Sequence, residues 1–171
     1  MGMKDFFGPA KTITSTLVYD QKEIYNFLKT WLTERGYLVE EKDYTEKIQA
    51  NGLRVYAFNW MCEKRIDDFT KCKLALYYQA EAENVQIETH DGKKKTAQNG
   101  NVIIKISSFL DIDPEEEWNI NKTNATKVFF RELWIKLLAK GVWAKKQALL
   151  NKDTKLLIED INTYLKLYRY D

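Results

Sequence analysis

The chain has 171 residues, of which 44% are hydrophobic, 30% charged and 13% aromatic. That length buries an apolar core without a metal or disulfide staple, and two prolines and seven glycines argue against long linkers or disordered tracts. The formal net charge of +2 divides unevenly: residues 1–121 carry 16 Lys+Arg against 20 Asp+Glu, and residues 122–171 carry 11 against 5.

The basic C-terminal part reads first as a solvated helix face and second as a surface for an acidic partner. Residues 1–11, with Gly8-Pro9, read as an N-terminal arm, and 12–171 as a single α+β domain. No apolar stretch follows the first residues as a signal peptide requires, and Phe6 stands where an N-myristoylation signal wants Ser or Thr. No uncharged run approaches the roughly 20 apolar residues of a bilayer-spanning helix. A soluble, cytoplasmic protein is expected, and Phe6 and Phe7 make too short a stretch for firm peripheral membrane contact.

Residues 12–19 alternate Ile13, Ser15, Leu17 and Tyr19 against Thr12, Thr14, Thr16 and Val18, the pattern of a strand. Asp20 then offers a helix cap. Ile24, Phe27, Leu28, Trp31 and Leu32 follow at helical spacing to the stop at Gly36, which predicts a helix over 21–35. Strands are predicted over 37–48, 53–64, 70–82 and 101–112, with turn signals at Asn51-Gly52, Asp91-Gly92 and Asn99-Gly100. Val85, Ile87 and Thr89 form a further short strand, and 93–100 a lysine-rich loop or short strand.

Register follows from keeping apolar side chains on one face. A hairpin turning at Asp67 pairs Tyr56 with Tyr78, Phe58 with Leu76, Trp60 with Leu74 and Cys62 with Cys72. A second, turning at Glu83-Asn84, pairs Ala82 with Val85 and Ala80 with Ile87. Two helices are expected at the C-terminal side, one from Thr123 to Lys140 ended by Gly141 and one over 142–169. The predicted fold is thus α+β. It has an N-terminal strand and helix, a curved antiparallel meander of about five strands, and two C-terminal helices in a roll resembling helix-grip architectures.

Candidate chemistry is sparse. Cys62 and Cys72 read as buried thiols rather than a redox or metal pair, because the single histidine, His90, falls on the other face beside a turn. The run Asp111 to Glu117 suits a helix start and lacks the spacing of a calcium loop. No phosphate-cradling glycine motif and no nucleophile–base set stands in the chain, so the residues point away from an enzyme and to no metal or cofactor. Four of the five tryptophans fall on apolar stripes, with Trp143 the one expected at a surface.

The leading expectation is a non-enzymatic binding or scaffolding module that acts through a protein partner or self-association, including a homodimer. One alternative is nucleic-acid binding through the basic C-terminal helices and Lys93, Lys94 and Lys95. The other is a small-molecule carrier or enzyme with a pocket between sheet and C-terminal helix, lined by Tyr56, Tyr78 and Trp134.

Overall fold

The computed structural model describes residues 3–6, 10–68, 70–112, 126, 129, 133 and 140–167. The chain order is β1 (Met3–Phe6), β2 (Lys11–Tyr19), α1 (Gln21–Glu34), β3 (Leu38–Ile48), β4 (Arg54–Asp67), β5 (Thr70–Glu88), β6 (Lys94–Ile112) and α2 (Lys140–Leu167). The six strands form one antiparallel sheet in the order β1-β6-β5-β4-β3, and β2 pairs β6 alongside β1. The fold is α+β, as its alternation of periods predicts.

Local chemistry fixes the first helix. Asp20 accepts hydrogen bonds from the Lys22 and Glu23 amides at 2.8 and 3.2 Å, satisfying two donors the helix leaves free. At the other end Gly36 takes φ +81°, a conformation that costs a residue with a Cβ and so ends the helix there. Ile24, Leu28, Trp31 and Leu32 are buried on the stripe that faces the sheet. The C-terminal helix departs from expectation, because α2 runs through Gly141 and the predicted stop lies inside it. A glycine within a helix costs only about 1 kcal/mol, less than the packing of the turns beyond it returns. Thr126, Phe129 and Leu133 are helical, and the rest of the predicted 123–140 helix, Trp134 included, lies outside the described residues.

The predicted faces hold in β4, in β6 and in β5 as far as Ala82, but Val85 and Ile87, expected on the core face, lie on the other, and the predicted register does not hold. β4 meets β5 with Phe58 opposite Tyr78, Trp60 opposite Leu76 and Cys62 opposite Leu74, two residues from the expected pairing. The hairpin closes past Asp67, which pairs with Thr70, so the turn falls later than the expected centre at Asp67. An even shift keeps every side chain on its face, so the core survives it. The expected turn at Glu83-Asn84 is absent, and β5 continues to Glu88. It pairs with β6 in one unbroken ladder from Thr70–Ile112 to Glu88–Lys94. Asn99-Gly100 is likewise no turn, because Gly100 sits mid-strand opposite Ala82. A Cβ there would fall onto the Glu81 carbonyl oxygen and lie 2.6 Å from Ala82 Cα, so the glycine permits the two backbones to approach. The turns at Asn51-Gly52 and Asp91-Gly92 form as predicted.

One side of the sheet carries the core. Tyr56, Phe58, Trp60 and Cys62 of β4, Leu74, Leu76 and Tyr78 of β5, and Val102, Ile104 and Ile106 of β6 are buried with Leu150, Leu157 and Ile161 of α2. Fully burying such a side chain contributes about 1.5–3 kcal/mol. The two helices also lock to each other. Phe27 stacks on Tyr164 at 4.2 Å, the Trp31 indole donates to Asp160 at 2.6 Å, and Arg35 lies over the Trp31 ring at 3.8 Å.

Candidate functional site

Among the described residues the helices leave part of the sheet uncovered. Between the first turns of α1 and the ends of β3 to β6 lies an open cleft of about 740 Å³. Its walls are polar and aromatic, with the capping Asp20, then Gln21, Lys22, Tyr25 and Asn26 from α1, Glu41, Tyr44 and Glu46 from β3, and Arg54 and Tyr56 from β4. Asn84, Thr96 and Gln98 come from β5 and β6.

Sheet register brings these groups together. Glu41 stands opposite Trp60, Tyr44 opposite Phe58 and Glu46 opposite Tyr56. A bulge between Glu41 and Asp43 is what puts both Glu41 and Tyr44 on the helix-facing side. Tyr25 packs edge-on against Tyr44, Phe58 and Trp60 at 6.4, 5.3 and 5.0 Å. Its hydroxyl donates to Glu41 Oε2 at 2.8 Å, and the Trp60 indole donates to the same oxygen at 2.9 Å. Gln21 links cleft and core, since its amide nitrogen donates to Gln98 Oε1 and its side-chain oxygen accepts from the buried Tyr78 hydroxyl at 2.6 Å. Tyr19 Oη lies buried nearby, close enough to Tyr78 to feel its field yet without a well-aligned hydrogen bond.

Charge in and around the cleft is mostly matched. Lys95 reaches both Asp20 and Glu23 at 2.7 Å, and Arg54 meets Glu46 at 3.3 Å. Burial alone would raise the Asp20 pKa, but the Lys95 ammonium and the Glu23 and Lys22 amides outweigh it and hold the carboxyl below its ordinary value. Burial followed by the hydrogen bond and charge of Glu41 pushes the Tyr25 phenol up to about 12.

The residues singled out by sequence fall in different places. Tyr56 lines the cleft, and Tyr78 lies beneath it, fully buried. Trp134 is outside the described residues. The space between α2 and the sheet is filled by Leu150, Leu157 and Ile161. Lys93 and Lys94 are exposed at the end of the β5–β6 hairpin, whereas Lys95 is drawn into the ion pairs at the start of α1. Cys62 and Cys72 are buried free thiols. Burial pushes Cys62 up to about 12, and burial with Asp153 pushes Cys72 up to about 11, so neither ionises near neutral pH. Among the described residues no three His, Cys, Asp or Glu side chains converge as metal ligands. His90 is exposed in its turn, and Asp111 is buried against Lys73 at 2.6 Å. Among the described residues no helix is long and apolar enough to cross a membrane.

Sequence reasoning missed Tyr25, Glu41 and Tyr44. The one local signal was an aromatic residue set in an otherwise charged strand, Glu40 to Lys47.

No protein-family model matches this chain, and no curated protein matches it.

Proposed function

We propose that the protein is a non-enzymatic binding module that associates with a second copy of itself by adding strand to strand at β3. The observation that carries this is the free edge. Among the described residues β3 has a hydrogen-bonded neighbour on one side only, and Leu38, Tyr44 and Ile48 stand 73%, 49% and 65% exposed along it. An open edge with apolar side chains is a template for another strand.

Charge selects the pairing. Beyond the bulge, β3 runs regularly from Asp43 to Ile48. A two-fold axis through Thr45 sets Asp43 of each copy against Lys47 of the other, on the same sheet face. Sedimentation equilibrium of the full chain from about 10 to 500 µM should show a reversible monomer–dimer equilibrium. Lys47→Glu should weaken the dimer about tenfold, and adding Asp43→Lys to it should restore association. A monomer across the whole range overturns the reading.

Nucleic-acid binding is favoured as a second reading by the exposed Lys93 and Lys94 and by Lys145, Lys152 and Lys155 along α2. It requires retention on heparin that weakens with salt, and passage at low salt removes it.

A further inference from the structure

The cleft is lined by charges of both signs, Lys22 and Arg54 among its acids, and one acid is left without a cationic partner. Three carboxylates line it, and two are matched, Asp20 by Lys95 and Glu46 by Arg54. Glu41 differs. Its hydrogen-bond donors are the neutral Tyr25 hydroxyl and Trp60 indole, both on Oε2, and among the described residues no lysine or arginine pairs with it. Oε1 is therefore left for a group from outside. Tyr44, half exposed, stands two pairings along the strand, and Tyr56, buried opposite Glu46, closes the far side of the cleft.

These surroundings discriminate between ligands. A hard divalent ion needs several converging oxygens and gains nothing from rings. An anion would meet the acid surplus. An alkylated or primary ammonium group suits both features, because its charge is attracted by ring faces and by a carboxylate that is not neutralised. Outside the cleft, Lys29 of the protein itself makes such an approach, its Nζ 6.0 Å from the Tyr25 ring centre.

We propose that this cleft binds an organic ammonium group, seated against the ring of Tyr44 with Glu41 opposing its charge. The phenols remain neutral beside it. Burial first and Glu41 second raise Tyr25, while burial, Glu46, Tyr56 and Glu41 raise Tyr44. Only the part owed to Glu41 and Glu46 speaks for a cation, since burial opposes a charge of either sign. The site shares Tyr44 with the β3 edge but uses neither Leu38 nor Ile48 nor the Asp43 and Lys47 charges, so the charge swap that tests the dimer leaves it in place.

The Trp60 indole N–H reports directly on Glu41. In the ¹⁵N-labelled full chain its resonance, assigned with Trp60→Phe, should shift saturably as choline is added. The neutral isostere 3,3-dimethylbutan-1-ol should bind about tenfold more weakly. Glu41→Gln keeps an acceptor for Trp60 and Tyr25 yet removes the charge, and should weaken choline binding about fivefold or more. Tyr44→Ala should weaken it similarly, while Tyr44→Phe should retain it. A peptide carrying trimethyl-lysine identifies the source: tighter binding than choline assigns the ammonium to a protein side chain, weaker binding to a free amine, and both uphold the site. Equal affinity for the isostere, unchanged affinity in Glu41→Gln, or no saturation by roughly 50 mM choline overturns the proposal.

Discussion

Two halves of the same strands differ in what they face. Under the helices, β5 turns Cys72, Leu74, Leu76 and Tyr78 to the core, where α2 brings Leu150, Leu157 and Ile161. Past Ala82 the same side carries Asn84, Gln86 and Glu88, opposite Gln98, Thr96 and Lys94. The ladder does not notice the change, because backbone pairing continues through it. Strand length is thus set by hydrogen bonding between neighbours, and apolar alternation by whatever lies across the sheet. The cleft begins where the roof ends.

Three substitutions probe that boundary. The largest effect belongs to Gly100, which sits on it opposite Ala82. Gly100→Val forces a side chain into the Glu81 and Ala82 backbones, and should cost about 4 kcal/mol or abolish the folded state, as read by circular dichroism and urea unfolding. Next, Leu157→Ala in the covered half should cost about 3 kcal/mol through lost burial and a cavity. Gln86→Ala in the open half should stay within about 0.5 kcal/mol in the same titration. Comparable losses would erase the distinction between the halves.

A small effect that depends on pH lies at the seam, where Lys95 of the open half holds Asp20 at the start of α1. The folded Asp20 pKa lies below its ordinary 3.8, so its carboxylate stabilises the fold at neutral pH. That contribution is lost as pH falls below 3.8 through the lower folded value. Asp20→Asn keeps a capping oxygen and should cost less than about 1 kcal/mol at pH 7. The gap between its urea midpoint and that of the parent should hold from pH 7 to about pH 4 and narrow as pH falls further. A gap that persists unchanged at pH 3 would mean the charge plays no part.

The same boundary explains what was legible in the sequence. The bounds of α1 could be read within a residue, because Asp20 and Gly36 act locally. The faces of β4, and of β5 as far as Ala82, could be read because their core residues recur every second position. Glu83-Asn84 misled because polar residues that follow an apolar alternation resemble a turn, when only the helix above had ended. Asn99-Gly100 misled because a glycine required by a neighbouring backbone looks the same in sequence as one required by a turn. The cleft was illegible for a different reason. It is assembled from five elements, and the shared acceptor that joins Tyr25 to Trp60 depends on a bulge at Lys42 that local pattern does not encode.

Strand β2 carries a consequence for biosynthesis. Its partners, Gln98 to Ile106, lie far downstream, so a ribosome exposes Lys11–Tyr19 long before any neighbour exists for it. The β5–β6 ladder, by contrast, can zip from its own short turn as it emerges. During that wait the threonines at 12, 14 and 16 keep one face of the nascent segment hydrophilic, which protects the growing chain from sticking to others until its place in the sheet has been made.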